Sequence, residues 1–151
     1  MPSVNGPTVT NLVLGLGCER NAASEEVIAL AEQALSEAGL GKGDIDLVAS
    51  LDARIEEPAI HAAARHFSVP LRFFDASTLE AETGRLQNPS DIVFAHTGCH
   101  GVAEGAALAG AGQYAVLIVP KIRSARATAA IAGPARATGG AAIRTKRAGA
   151  A

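Results

Sequence analysis

The chain has 151 residues, 48% of them hydrophobic, with no tryptophan and one tyrosine; this suits one domain with a core of Ala, Val, Leu and Ile, plus a tail. The net charge of −2 hides an asymmetry: residues 1–120 hold all 15 acids and 6 bases, and residues 121–151 hold 7 bases and no acid. An acidic body poor in aromatic residues argues against nucleic acid as a partner, and no apolar run approaches the ~20 residues of a membrane helix.

Residues 1–8 read as an N-terminal extension without the basic and apolar regions of a signal peptide. Two cysteines, Cys18 and Cys99, make no disulfide framework, so a cytoplasmic protein with free thiols is expected. Val9 to Leu16 reads as a buried strand bounded by Asn and Gly. Ser24 is the expected N-cap of the first helix, with Glu25 and Glu26 complementing its dipole. Apolar residues follow at helical spacing from Val27 to Ala38, and Gly39 and Gly41 end the helix.

Ile45 to Leu51 is the second expected strand, and Pro58 opens a second helix with Ile60, Ala64 and Phe67 on one face. Leu71 to Phe74 is a third strand. Asp75 or Ser77 begins a short helix, and Ser77 and Glu80 have capping-box spacing. The pattern of Asp91 to His96 fits a strand or a helical turn equally. Gly101 to Leu108 reads as a helix of small residues, Ala115 to Val119 as a buried strand closed by Pro120, and Thr128 to Ala132 as a last strand. The alternation predicts a three-layer α/β/α sandwich over residues 9–132, its central sheet largely parallel, with a mixed sheet as the alternative. Residues 133–151 read as a basic, flexible tail.

In such a fold ligands bind beyond the carboxyl ends of the strands. Four segments should meet there: Gly15–Asn21, Ser50–Glu57, Gly98–Glu104 and the strand exit at Lys121. Gly15 and Gly17 begin a G-x-G, but Arg20 stands where a dinucleotide fingerprint has its third glycine. What survives is a general preference of helix N-termini for anions. Cys18 and Cys99 read either as small buried hydrophobes or as thiolates activated by a nearby cation or helix N-terminus. Cys18, His96, Cys99 and His100 match no standard zinc spacing, so no metal site is expected. Arg20, Arg54 and Lys121 each follow an expected strand, and Asp52, Glu57 and Glu104 share those segments. They read as surface ion pairs or as a mixed-charge cleft for a ligand with several carboxylates. Arg123 and Arg126 would extend the positive border of that cleft.

These residues carry a family resemblance. "GLGCERNAAS", "SLDARIEEPAI", "LRFFDASTLEAE", "HTGCHGVAEGAALAGAG" and "LIVPKIRSARATAAIA" resemble, in order and spacing, the cobalamin-biosynthesis family of CobE and the C-terminal domain of CbiG. Glu19 stands where the family often has a base, with Arg20 keeping the charge. Arg54 replaces a lysine between Asp52 and Glu57, and Val102, Glu104, Ala106, Ala107, Leu108, Lys121 and Thr128 match the pattern. The resemblance implies work on the corrin ring of vitamin B12. CbiG-like proteins are linked to opening a precorrin lactone, with loss of acetaldehyde, and carry further domains.

The expectation is therefore a protein that binds or carries a precorrin or corrin intermediate, alone or beside other pathway enzymes, with no cofactor of its own. Gly15, Gly17, Cys18, Arg20, Asn21, Asp52, Arg54, Gly98, His100 and Lys121 are its candidate ligand contacts. Val102, Ala103 and Ile122 are candidates for an apolar wall. Two alternatives stand beside it. One is a lactone hydrolase in which Glu57 or Glu104 activates water and Lys121 or Arg54 stabilises the oxyanion. The other is a non-catalytic partner of a pathway methyltransferase.

Overall fold

A computed structural model describes residues 12–135. Strand β1 (Val13–Cys18) leads into α1 (Ser24–Ala38), β2 (Leu47–Leu51), α2 (Pro58–Phe67), β3 (Leu71–Phe74) and α3 (Ala76–Glu80). Helices α4 (Asp91–Thr97) and α5 (Val102–Ala111) and strands β4 (Ala115–Arg123) and β5 (Ala127–Pro134) complete the described chain. The five strands form one sheet in the order β3-β2-β1-β5-β4. β1, β2 and β3 pair in parallel, whereas β5 runs antiparallel to both β1 and β4. The mixed alternative is thus the one realised. A three-residue link between β4 and β5 allows only a hairpin, since a parallel return needs a long crossover.

Strand β1 sorts its residues by parity, as a strand must. Leu14 and Leu16, with Leu12 just before them, pack with Val27, Leu30, Leu35, Ile60 and Phe67 under α1 and α2. Val13 faces the other way, toward Leu79 and Ala106 of α3 and α5. Gly15 shares that second face, and a Cβ there would lie 2.0 Å from the Ala103 carbonyl oxygen and 2.7 Å from the Ala107 nitrogen. The missing side chain lets the small-residue helix α5 lie directly on the sheet. Arg85 fastens the far end of α5: its guanidinium donates to the carbonyls of Gly112, Gln113 and Ala115.

Three sequence expectations change and two open alternatives are decided. Ala23, not Ser24, is the N-cap of α1, and no side chain caps it. Asp75 caps α3 by accepting from the Thr78 N–H, so Ser77 is inside the helix. Asp91 to Thr97 is helical, capped by the Ser90 hydroxyl. Strand β4 passes through Pro120 to Arg123, with register irregularities on both sides of Val119. β4 is an edge strand, where proline's missing N–H breaks no ladder bond. Gly133 and Pro134 belong to β5 rather than to the tail. Residues 1–11 and 136–151, with the expected extension, the start of the first strand and most of the tail, lie outside the described residues.

Candidate functional site

The carboxyl ends of β1 and β2, the end of β4 and the start of β5 all lie at one end of the sheet. A cavity of about 470 Å³ opens there. Gly17, Cys18 and Glu19 line it from the exit of β1, Leu51 and Arg54 from the exit of β2, and Gly101 and Val102 from the start of α5. Lys121 to Thr128 of the β4–β5 hairpin, excepting Ile122, form a third side, and Ile92, Val93, His96 and Thr97 of α4 close a fourth. The four segments singled out in the sequence therefore converge, each contributing part of the residues expected of it.

Local contacts explain the shape. A Cβ on Gly17 would stand 2.8 Å from the Thr128 hydroxyl and 3.2 Å from a Val102 methyl, so glycine lets the hairpin and α5 meet over β1. The Arg54 Nε donates to the Cys18 carbonyl at 2.7 Å, tying the exits of β2 and β1 together beside the cavity. Glu26, in the first turn of α1, accepts from the Ser124 hydroxyl and from the Arg126 N–H at 2.7 Å. These two donors hold its carboxyl below the usual range. The Glu19 N–H donates to the Arg126 carbonyl at 2.9 Å, so the hairpin turn is pinned at both sides.

Basic residues outnumber acidic ones in the cavity lining: Arg54, Lys121, Arg123 and Arg126 against Glu19. Lys121, Arg123 and Arg126 line the cavity and form no salt bridge among the described residues. Burial and the neighbouring Arg123 push the Lys121 ammonium down, against the opposing pull of Glu104. An anion entering the cavity would relieve that mutual repulsion. The first turn of α5, whose N-cap Gly101 has no side-chain cap, adds backbone donors at the same place.

Glu104 has a different job from the water-activating one. It is 1% exposed and does not line the cavity. One carboxylate oxygen accepts from the Gln87 and Asn88 N–H groups, both at 2.9 Å. The other accepts from the Asn88 side-chain amide and the Lys121 N–H, both at 2.8 Å. Burial alone would raise its carboxyl, but the donors from Lys121, Asn88 and Gln87 outweigh burial and hold it below the usual range. Glu104 is a buried anion that fixes the Gln87–Asn88 loop and the irregular stretch of β4 from which Lys121 projects.

Other candidates lie elsewhere. Gly15 sits within the sheet beneath α5, paired with Ala49 and Ala130. Arg20 and Glu57 line a separate depression with Ala53, Ile55 and Glu56. Glu57 accepts from the N–H of Asn21, a non-glycine residue at φ 63°. Asp52 is exposed in a short turn of 3-10 helix, Asp52–Arg54, and does not line the cavity. Gly98 is the left-handed C-cap of α4. His100 lies behind α4, with its N–H and Nδ1 facing the Glu80 carboxylate at 2.9 and 2.8 Å.

Of the apolar-wall candidates, Val102 lines the cavity. Ala103, within α5, is buried in the core, and Ile122 packs toward the α1 side. The surroundings of Cys18 work against an activated thiolate. Burial and Glu57 push Cys18 up to about 11, against Arg54, and Cys99 is buried in the core. Sequence reasoning missed α4 as a wall. Its signal was Ile92 and Val93 within a segment whose periodicity fits no core face. Among the described residues, no three His, Cys, Asp or Glu side chains are grouped to hold a metal ion, and no helix is long and apolar enough to cross a membrane.

Residues 12–132 match the family model described as cobalamin synthesis G C-terminus. A Sinorhizobium protein named CobE is 74% identical over 124 residues, which cover 82% of this chain and 80% of that protein. The cobalt-precorrin-5A hydrolase of Priestia megaterium is 26% identical over 121 residues, 80% of this chain but 32% of the hydrolase. Among solved structures, CobE from the cobalamin biosynthetic pathway aligns with a TM-score of 0.76 at 35% identity, covering 82% of this chain and 90% of that one. The cobalamin biosynthesis protein chiG of Agrobacterium tumefaciens aligns with a TM-score of 0.62 at 31% identity, covering 82% and 98%.

Proposed function

The chain belongs to the cobalamin synthesis G C-terminus family and is a cobalamin biosynthesis protein, and from that premise we propose that its cation-lined cavity holds a precorrin- or corrin-type tetrapyrrole by the carboxylate arms. The observation that carries this reading is the set of three basic residues, Lys121, Arg123 and Arg126, that line one cavity without a salt bridge among the described residues. A ligand with several carboxylates gives each cation a charge-assisted partner. Leu51 and Val102 supply apolar surface beside them, and the first turn of α5 supplies donors.

Holding is favoured over cutting because Glu104 is committed. Two donors occupy each of its oxygens, and it does not line the cavity. Glu57 lies in the other depression and receives the Asn21 N–H. The chain also spans about a third of the hydrolase that it resembles. The protein would shelter an intermediate and pass it to another enzyme of the pathway.

Titration of the full chain with hydrogenobyrinic acid and with earlier precorrins tests this. Binding should weaken steeply with salt, as exposed charge pairs do. Lys121→Ala and Arg123→Ala should each lower affinity by about tenfold, the low end for a charge-assisted hydrogen bond. Absence of binding across the series at moderate salt would overturn the proposal. Turnover of an isolated precorrin lactone by the full chain would restore the hydrolase.

A further inference from the structure

Helix α4 forms a wall of the cavity apart from the basic hairpin. No residue of α4 is buried. Ile92, Val93, His96 and Thr97, at spacings that share one helix face, line the cavity. Ile92 is 73% exposed, a large apolar side chain left at the cavity mouth. A seven-residue helix without buried apolar residues has little local stability of its own.

Its position depends on contacts that converge on His100. The Phe94 ring stacks on the imidazole, with centroids 4.4 Å apart and planes 17° from parallel. The imidazole Nε2 lies 3.3 Å from the Asp91 carboxylate. The Ser90 N–H, at the N-cap of α4, donates to the His100 carbonyl at 2.8 Å. On its other side His100 is fixed to the body, because its N–H and Nδ1 both reach Glu80 at the end of α3. Leu79, next to Glu80, is fully buried.

Building on the proposed binding of a tetrapyrrole, we infer that His100 is a positioning residue: it latches α4 to α3 and so sets Ile92 and Val93 as the apolar wall for the face of the macrocycle. These two walls of the cavity then sort the two chemistries of the ligand. The hairpin takes its carboxylates and α4 takes its ring. Phe94 is the sensitive point of the latch. It touches His100 without lining the cavity, and it is 44% exposed, so its loss leaves the core intact.

The test compares wild type, Phe94→Ala and Phe94→Tyr in the full chain. Amide exchange of residues 91–97 is measured together with the affinity for two probes. Hydrogenobyrinic acid has ring and carboxylates; butane-1,2,3,4-tetracarboxylate has carboxylates only. Phe94→Ala should speed exchange in α4 but not in the hairpin. It should weaken hydrogenobyrinic acid by roughly tenfold, the scale of one aromatic pair, and leave the tetracarboxylate unchanged. Phe94→Tyr, which keeps the stack, should restore both readouts. Unchanged exchange in Phe94→Ala, or equal weakening of the two probes, overturns the latch while the proposed binding stands. If wild type binds neither probe, the binding proposal fails and the ring-wall role fails with it, whatever the exchange shows.

Discussion

Replacing Glu104 by glutamine separates a structural anion from a catalytic base. Each carboxylate oxygen of Glu104 accepts two hydrogen bonds. An amide NH2 at one end would oppose two donors. The less costly choice places it toward Asn88 and Lys121, because the Asn88 side-chain amide can turn and offer its oxygen. One donor, the Lys121 N–H, is then left without an acceptor, at a cost of about 2 kcal/mol. For a domain of this size each kcal/mol moves Tm by about 2–4 °C, so Tm should fall by about 4–8 °C. Glu104→Ala removes the acceptor from all four donors and should cost more.

The pH dependence has a definite sign. The Glu104 carboxyl is held below the usual range in the fold. Its contribution is therefore complete above the ordinary glutamate value of about 4.3 and is lost as pH falls through the lower folded value. The Tm gap between wild type and Glu104→Gln should shrink in acid. Thermal melts over a pH series measure both effects. A Glu104→Gln variant with unchanged Tm at neutral pH would refute the structural assignment, and lost lactone turnover in such a variant would make Glu104 a base.

Two further outcomes follow from packing and electrostatics. Gly15→Ala places a Cβ 2.0 Å from the Ala103 carbonyl oxygen, so α5 must move off the sheet. Urea unfolding should show a loss of about 3 kcal/mol, the upper part of the range for overpacking, and a variant as stable as wild type would contradict that close approach. Cys18, with its thiol pushed up to about 11, should react slowly with iodoacetamide at pH 8, where about one thiol in a thousand is ionised. The rate should climb with pH until it approaches 11, whereas a plateau near neutral pH would mean that an activating charge is present.

Much of the fold could be read from local pattern. Helix α2 begins at Pro58 and β3 spans Leu71–Phe74, as the sequence predicts, because a proline at the first helical position and a short apolar run after a turn act locally. The convergence of the Gly17, Arg54, Val102 and Lys121 segments was also legible, since ligand sites in α/β sheets lie beyond the carboxyl ends of the strands. α4 was harder to read. Its apolar residues face a cavity and a histidine rather than a core, so they leave no clean period.

The sequence by itself determined most of the elements, the gathering of cations after Pro120 and the glycines at which a helix can approach a strand. Each of these rests on residue type and near neighbours. Only the tertiary structure decided the roles of residues whose partners are far away in the chain. Glu104 reads as a free acid until the Gln87–Asn88 loop and the Lys121 N–H close around it. His100 reads as a ligand contact until Glu80 and Phe94 take its two sides. Gly15 reads as a candidate ligand contact until α5 is seen lying on it. A side chain's chemistry is set by the groups that meet it, and for these three residues the fold alone brings those groups within reach.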